Sequence, residues 1–285
     1  MKLVIVSGMS GSGKSVALHT LEDLDYYCID NLPVGLLEPF AQQLLNNPQP
    51  DQKNSAVGID ARNQSEDLLN FPQTLKRLRD QGIHSEILFL QADDETLLKR
   101  FSETRRKHPL SKSKLSLTDA IQQERALLQP ISANASLHID TTHTNVHQLR
   151  DLVLERIGAK SEGNLSLLFK SFGFKNGSPK DADFVFDLRC LPNPHWDTRL
   201  RPQTGLDKDV VEYLDSQPLV DEMFVTLRSF LETWIPHFQA ENRSYLTIAL
   251  GCTGGKHRSV YLAQRLSEYF KPLHPSVLVR HRDLP

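Results

Sequence analysis

Short apolar runs alternate with stretches of helical period along the first 158 residues. Leu3–Val6 is an apolar, partly β-branched run, and after a glycine-rich turn Val16, Leu18, Leu21 and Leu24 recur at helical spacing. Tyr26–Ile29 and Ala56–Ile59 predict two further strands, ending at Asp30 and Asp60. A helix follows with its apolar stripe around Leu68, Leu75 and Leu78, and it stops near Gly82. Ile87–Leu90 predicts a buried strand leading to a helix over Glu95–Thr104, and Leu137–Ile139 a strand leading to a helix over Val146–Ile157. Strand–helix alternation of this kind predicts an α/β domain with a doubly wound parallel sheet.

The pattern then changes. Residues 158–164, GAKSEGN, are small and polar, so the expected organisation is a domain over 1–158, a linker over 159–164 and a second α/β domain over 165–285. In the second domain Leu165–Phe169, Phe184–Leu188 and Leu246–Leu250 predict strands, and Val210–Leu214, Val225–Thr233 and Val260–Phe270 predict helices. A loop rich in proline and aromatics, LPNPHWDTRLRPQTG, occupies 191–205.

Composition adds bounds. Of 285 residues, 39% are hydrophobic and 24% charged, as in ordinary globular proteins. A net charge of −2 means that any nucleic-acid contact must come from a local basic patch. Cys28, Cys190 and Cys252 are odd in number and widely spaced, which argues against a disulfide framework and suits a reducing cytoplasm. The first apolar run is too short for a signal peptide, and no run is long enough for a bilayer. A soluble, cytoplasmic protein with no membrane partner is expected.

The turn after Leu3–Val6 carries the sharpest chemistry. Gly8-Met9-Ser10-Gly11-Ser12-Gly13-Lys14-Ser15 matches G-x-x-x-x-G-K-[ST] at every fixed position, between a strand and a helix. Glycines let backbone N–H groups wrap a phosphate, and the following helix adds the positive end of its dipole. Lys14 is expected to reach the β- and γ-phosphates of a purine nucleoside triphosphate and Ser15 to hold Mg²⁺. A second acid should orient the metal shell, and Asp30 and Asp60 are both candidates. Asp60 opens a polar quartet with Ala61, Arg62 and Asn63, in which Arg62 could neutralise phosphate. Lys99, Arg100, Arg105, Arg106 and Lys107 form a basic cluster that reads as a solvated face or as a phosphate or RNA clamp.

A second loop repeats the physics. Gly251-Cys252-Thr253-Gly254-Gly255-Lys256-His257-Arg258-Ser259 again joins a strand to a helix, and Arg258 converges on it. Cys252 and Arg258 stand in C-x₅-R spacing, followed by Ser259, as in cysteine-dependent phosphatases, with Asp197 as a candidate general acid. Those enzymes usually carry histidine where this chain has Gly251, and a structural cysteine in an anion loop is the alternative. With Asp187 and His195 from the upstream loop, Thr253, Gly254, His257 and Arg258 would suit a phosphorylated small polar molecule, such as an amino-sugar phosphate. Residues 251–285 hold six Lys/Arg against two acids, with Tyr261, Tyr269 and Phe270 interleaved; Lys271, Arg280 and Arg282 are its candidates for RNA contact.

Three stretches, GMSGSGKSVALHTLEDLDYYCIDNLP, SFGFKNGSPKDADFVFDLRCLPNPHWDTRLRPQTGLD and NRSYLTIALGCTGGKHRSVYLAQRL, together resemble the RapZ family of RNase adapter proteins, also described as P-loop nucleotide-binding proteins. The likeness covers essentially the whole chain. It implies ATP at Gly8–Ser15, GTP at Asp60–Asn63 and weak nucleotide hydrolysis. It implies a C-terminal domain resembling part of a sugar-phosphate kinase, with glucosamine-6-phosphate at Asp187, His195, Cys252, Thr253, Gly254, His257 and Arg258. It further implies a homo-oligomer that presents a small regulatory RNA to RNase E. The enterobacterial relative ends in a basic tail, whereas this chain ends VRHRDLP, which weakens the implied RNA contact. A P-loop small-molecule kinase and a C-x₅-R cysteine phosphatase remain as alternatives.

Overall fold

A computed structural model describes residues 2–46, 54–111, 115–158, 165–241 and 243–284. The chain divides into two compact units, Met1–Gly158 and Ala159–Pro285, and the linker expected over 159–164 lies outside the described residues.

In the first unit β1 (Lys2–Gly8), α1 (Lys14–Glu22), β2 (Tyr27–Ile29), α2 (Leu37–Asn46) and β3 (Asn54–Ile59) are followed by α3 (Ser65–Leu69), α4 (Phe71–Asp80) and β4 (His84–Gln91). The helices α5 (Asp94–Thr104) and α6 (Leu117–Ser132), then β5 (Leu137–Asp140) and α7 (Val146–Val153), complete it. The sheet order is β2-β3-β1-β4-β5, with every pair parallel. Central β1 is apolar because helices cover both faces of the sheet: Leu3, Val4, Ile5 and Val6 are fully buried. The crossover order leaves β1 between β3 and β4, so the turn after β1 opens at the switch point where ligands of such sheets bind.

Two of these helices are absent from the sequence reading. α6 begins at Ser116, whose hydroxyl accepts the Asp119 N–H, and it continues through Pro130. α2 follows a short 3₁₀ turn after Pro33. In both, prolines mask an apolar stripe that packs on the core through Leu37, Ala41, Ile121 and Leu128. α7 starts with a reciprocal capping box between Asn145 and Gln148. Asn145→Ala should remove about 1 kcal/mol of stability, read as a fall of about 3 °C in the melting temperature of this unit.

The second unit contains β6 (Ser166–Gly173), β7 (Phe184–Asp187), α8 (Lys208–Asp215), α9 (Pro218–Ala240), β8 (Tyr245–Cys252), α10 (Arg258–Phe270) and β9 (Val277–His281). The sheet runs β7-β8-β6-β9, again parallel, so both units are α/β with parallel sheets. α9 is 23 residues long, more than twice the nine expected, and buries Val220, Phe224, Leu227, Leu231 and Ile235 along one stripe. β9 occupies a stretch for which the sequence pattern predicts no element: it pairs with β6 in a register that sets Arg280 beside Lys170. Among the described residues no helix is long and apolar enough to cross a membrane.

Candidate functional site

Three glycines let the first loop turn. Gly8, Gly11 and Gly13 have φ of 145°, 86° and 106°, in the region that favours glycine. At Gly8 a Cβ would lie 2.0 Å from the Leu90 carbonyl oxygen, so the loop also depends on close approach to β4. The Lys14 ammonium folds back over the loop and donates to the carbonyls of Gly8 at 2.7 Å and Met9 at 3.2 Å. Burial pulls its pKa below the ordinary value, while the carboxylates of Glu124, Asp60 and Asp30 favour the charged form.

Residues far along the chain hold this loop. Glu124 of α6 is fully buried and accepts the Ser10 N–H at 2.9 Å and the Ser10 hydroxyl at 2.6 Å. His108 stands 3.1 Å from the same carboxylate. On the other side Arg100 donates to the carbonyl of Gly11 and to the hydroxyl and carbonyl of Thr141. The basic cluster therefore divides: Arg100 is a structural staple, while Arg106 and Lys107 are exposed and line the cavity.

That cavity has a volume of about 680 Å³, enough for a nucleotide, and runs from the loop past Asp30, Asp60 and Arg62 to Asn145. Asp60 is held by its neighbour: its oxygens accept the Arg62 backbone N–H at 2.9 Å and the guanidinium at 2.6 and 2.8 Å. Asn63 accepts the Val34 N–H and donates to the Asp60 carbonyl, and Ala61 is buried. The quartet is thus a self-stapled turn in which Arg62 supplies the exposed charge. A magnesium–triphosphate fits these residues, with the exposed Ser15 hydroxyl and the Asp30 or Asp60 carboxylate to hold the metal and Lys14 the phosphates.

The second loop is built at the carboxyl edge of the other sheet. Asp187, at the end of β7, pairs in register with Gly251 of β8, which brings it beside the loop. Its carboxylate is gripped by Arg189 through contacts of 2.7 to 3.0 Å; the same pairing holds its pKa low, with Arg258 adding a smaller effect. His195 is exposed with its ring 6.4 Å from that of His257. The expected set is therefore gathered at one edge, with Thr253 exposed and Cys252, His257 and Arg258 buried.

Two buried atoms here have no partner among the described residues. They are Nε of Arg258 and Nε2 of His257. Arg258 donates through Nη1 to the carbonyls of Arg189 and Leu191, both at 2.9 Å, and through Nη2, among the described residues, only to the Thr253 hydroxyl at 3.4 Å. Its Nε–Nη2 edge, the edge that binds phosphate oxygens in pairs, is left with little to hold. Lys175, unnoticed in the sequence, lies with Cε and Nζ 3.9 and 4.0 Å from where a Gly254 Cβ would stand, and its N–H donates to the Thr253 carbonyl. Asp197 is paired with Arg199 at 2.9 Å, which holds its carboxyl below the usual range and makes it a poor proton donor.

The basic residues of the C-terminus behave unequally. Lys271 is exposed and Arg280 half-buried on β9. Arg282 is turned inward, with its side chain 9% exposed and Nη2 donating to the carbonyls of Gly173 and Asn176. Its neighbour Asp283 accepts the Gly173 N–H at 2.6 Å. This geometry removes Arg282 from the basic surface expected for RNA and makes it a brace behind the anion loop. Its replacement by glutamine should cost about 1–2 kcal/mol, measured as a lower urea midpoint.

Comparison with known proteins matches both units. Residues 1–161 fit the profile of the RapZ-like N-terminal domain and residues 165–285 that of the RapZ C-terminal domain. A "nucleotide-binding protein" of Methylococcus capsulatus is 57% identical over all of this chain and 97% of its own length. One from Nitrosococcus oceani is 57% identical over the full length of both. A shikimate kinase structure from Bacteroides thetaiotaomicron overlaps 53% of this chain and 97% of its own, at 16% identity and a TM-score of 0.34. With both halves matched and full-length relatives at this identity, the chain belongs to the RapZ family.

Proposed function

We propose that this protein is a nucleotide-regulated RNA adapter: it binds ATP or GTP with Mg²⁺ in its first unit, senses glucosamine-6-phosphate in its second, and delivers a small regulatory RNA to RNase E as a homo-oligomer. The single observation that carries the reading is that one chain holds two glycine-rich strand–loop–helix turns, each with a cation poised over it, Lys14 in one and Arg258 in the other. Two phosphate cradles in separate units suit a two-ligand device better than a single enzyme site. Family membership, and relatives named as nucleotide-binding proteins, support the triphosphate half. The buried, unpartnered Arg258 Nε and the nearby Asp187 carboxylate support the half that would take a phosphate and an ammonium.

Calorimetric titration of the full chain with magnesium–ATP and with glucosamine-6-phosphate tests both halves, and a gel shift with candidate small RNAs tests the adapter role. Saturable binding of each ligand and a sugar-phosphate-dependent change in RNA affinity are expected. Arg258→Lys should weaken sugar-phosphate binding about tenfold, because a point charge cannot reproduce the paired contact. Rapid ADP release that depends on a small acceptor would instead make the first unit a kinase.

A further inference from the structure

Cys252 ends β8 at the floor of the second loop, and polar groups surround its sulfur. Ser259 Oγ lies 3.1 Å from Sγ, and the backbone N–H groups of Ser259, Gly255 and His257 also point to the sulfur. Burial alone would raise the thiol pKa, yet these donors outweigh it and hold the pKa below its ordinary value. The sulfur has no carbon-only environment of the kind that makes buried cysteines inert. On the same loop Arg258 has Nε buried and unpartnered among the described residues, while Nη2 donates to the Thr253 hydroxyl at 3.4 Å, which leaves its Nε–Nη2 edge for phosphate oxygens.

We propose that the second loop is a phosphomonoester hydrolase site in which Cys252 is the nucleophile. The inference rests on the reading that residues 251–259 hold a phosphate. The thiolate forms an S–P bond as the ester P–O bond breaks, and the electrons of that bond leave on the sugar or alcohol oxygen. Asp197 is too firmly paired with Arg199 to supply the proton. His195, exposed and with its ring 6.4 Å from that of His257, gives a ring proton to that oxygen. Water then attacks phosphorus, the S–P bond breaks to regenerate the thiolate, and His195 takes the proton as inorganic phosphate departs. The Ser259 hydroxyl assists the second step by donating to the departing sulfur. Arg258 grips the equatorial oxygens throughout.

The test uses the full-length protein with glucosamine-6-phosphate and with p-nitrophenyl phosphate. Phosphate release from both is expected, together with an acid-quenched, radiolabelled phosphoprotein whose label is lost in Cys252→Ser. His195→Gln should slow release from the sugar phosphate about 100-fold, the usual scale of general acid catalysis, and release from the nitrophenyl ester far less, because that leaving group needs no proton. Calorimetry on the same wild-type sample separates the two claims. Sugar-phosphate binding without phosphate release and without a trapped phosphoprotein overturns the hydrolase and leaves the sensor intact. Absence of binding, release and trapping overturns both, and equal release by Cys252→Ser overturns the hydrolase as well. The trapping measurement on wild type decides the matter even where the serine variant fails to fold.

Discussion

Replacing Lys14 by alanine is expected to lower the affinity for a magnesium–nucleoside triphosphate about 100-fold. Truncating one charged partner of a desolvated contact costs roughly 2–5 kcal/mol, and each 1.4 kcal/mol is a factor of ten. Lys14 stands over the loop at 2.7 and 3.2 Å from two of its carbonyls, so reaching a phosphate requires only an exchange of acceptors. The fold should be nearly indifferent to the change. Loop conformation is held independently by Glu124 on Ser10, by Arg100 on Gly11 and by Thr141, whose hydroxyl donates to the Ser12 carbonyl. The melting temperature should therefore move little while a fluorescent-nucleotide titration loses its signal. Burial holds the Lys14 pKa below 10.5, so wild-type affinity should decline as pH rises toward that value. The alanine variant should show no such decline. An affinity within threefold of wild type would remove Lys14 from the phosphate site.

How much of this was legible in the sequence depends on how local each feature is. The P-loop and the 251–259 loop are contiguous, and their glycine, lysine and arginine types are fixed by the backbone geometry a phosphate needs, so both were readable. Glu124 was not. It is 114 residues from Ser10, sits in a helix whose proline hides its pattern, and acquires meaning only when α6 packs beneath the loop. Lys175 was missed for the same reason: only the pairing of β6 with β8 brings it to the second loop. β9 escaped because all five of its residues are half-buried, which leaves no contrast between an apolar and a polar face. Its basic residues then read as candidates for RNA contact, although Arg282 is braced against Gly173. The Asp60–Asn63 quartet teaches the converse. Polar residues at a strand end resemble a binding motif, but the hydrogen bonds of Asp60 and Asn63 are largely committed to shaping their own turn.

Glu124→Ala should destabilise the first unit by about 3–5 kcal/mol, because it leaves His108 and the Ser10 N–H and hydroxyl buried without their common acceptor. Burial by itself would raise the Glu124 pKa, but the hydrogen bond from His108, the charge of Lys14 and the two bonds from Ser10 reverse the shift and place it below 4.5. A carboxyl lowered on folding contributes stability that is fully present above its unfolded value of about 4.5. That contribution is lost as pH falls through the lower folded value. Urea unfolding from pH 7 down to pH 3 should therefore show wild type converging on Glu124→Gln, which keeps the shape but not the charge. The gap between them should be constant above pH 5. A gap that persists unchanged into the acid range would mean that the side chain acts by packing alone. Nucleotide binding should fall with stability in both variants, because the same carboxylate that anchors α6 also fixes the Ser10 amide, and with it the path of the backbone around the phosphates.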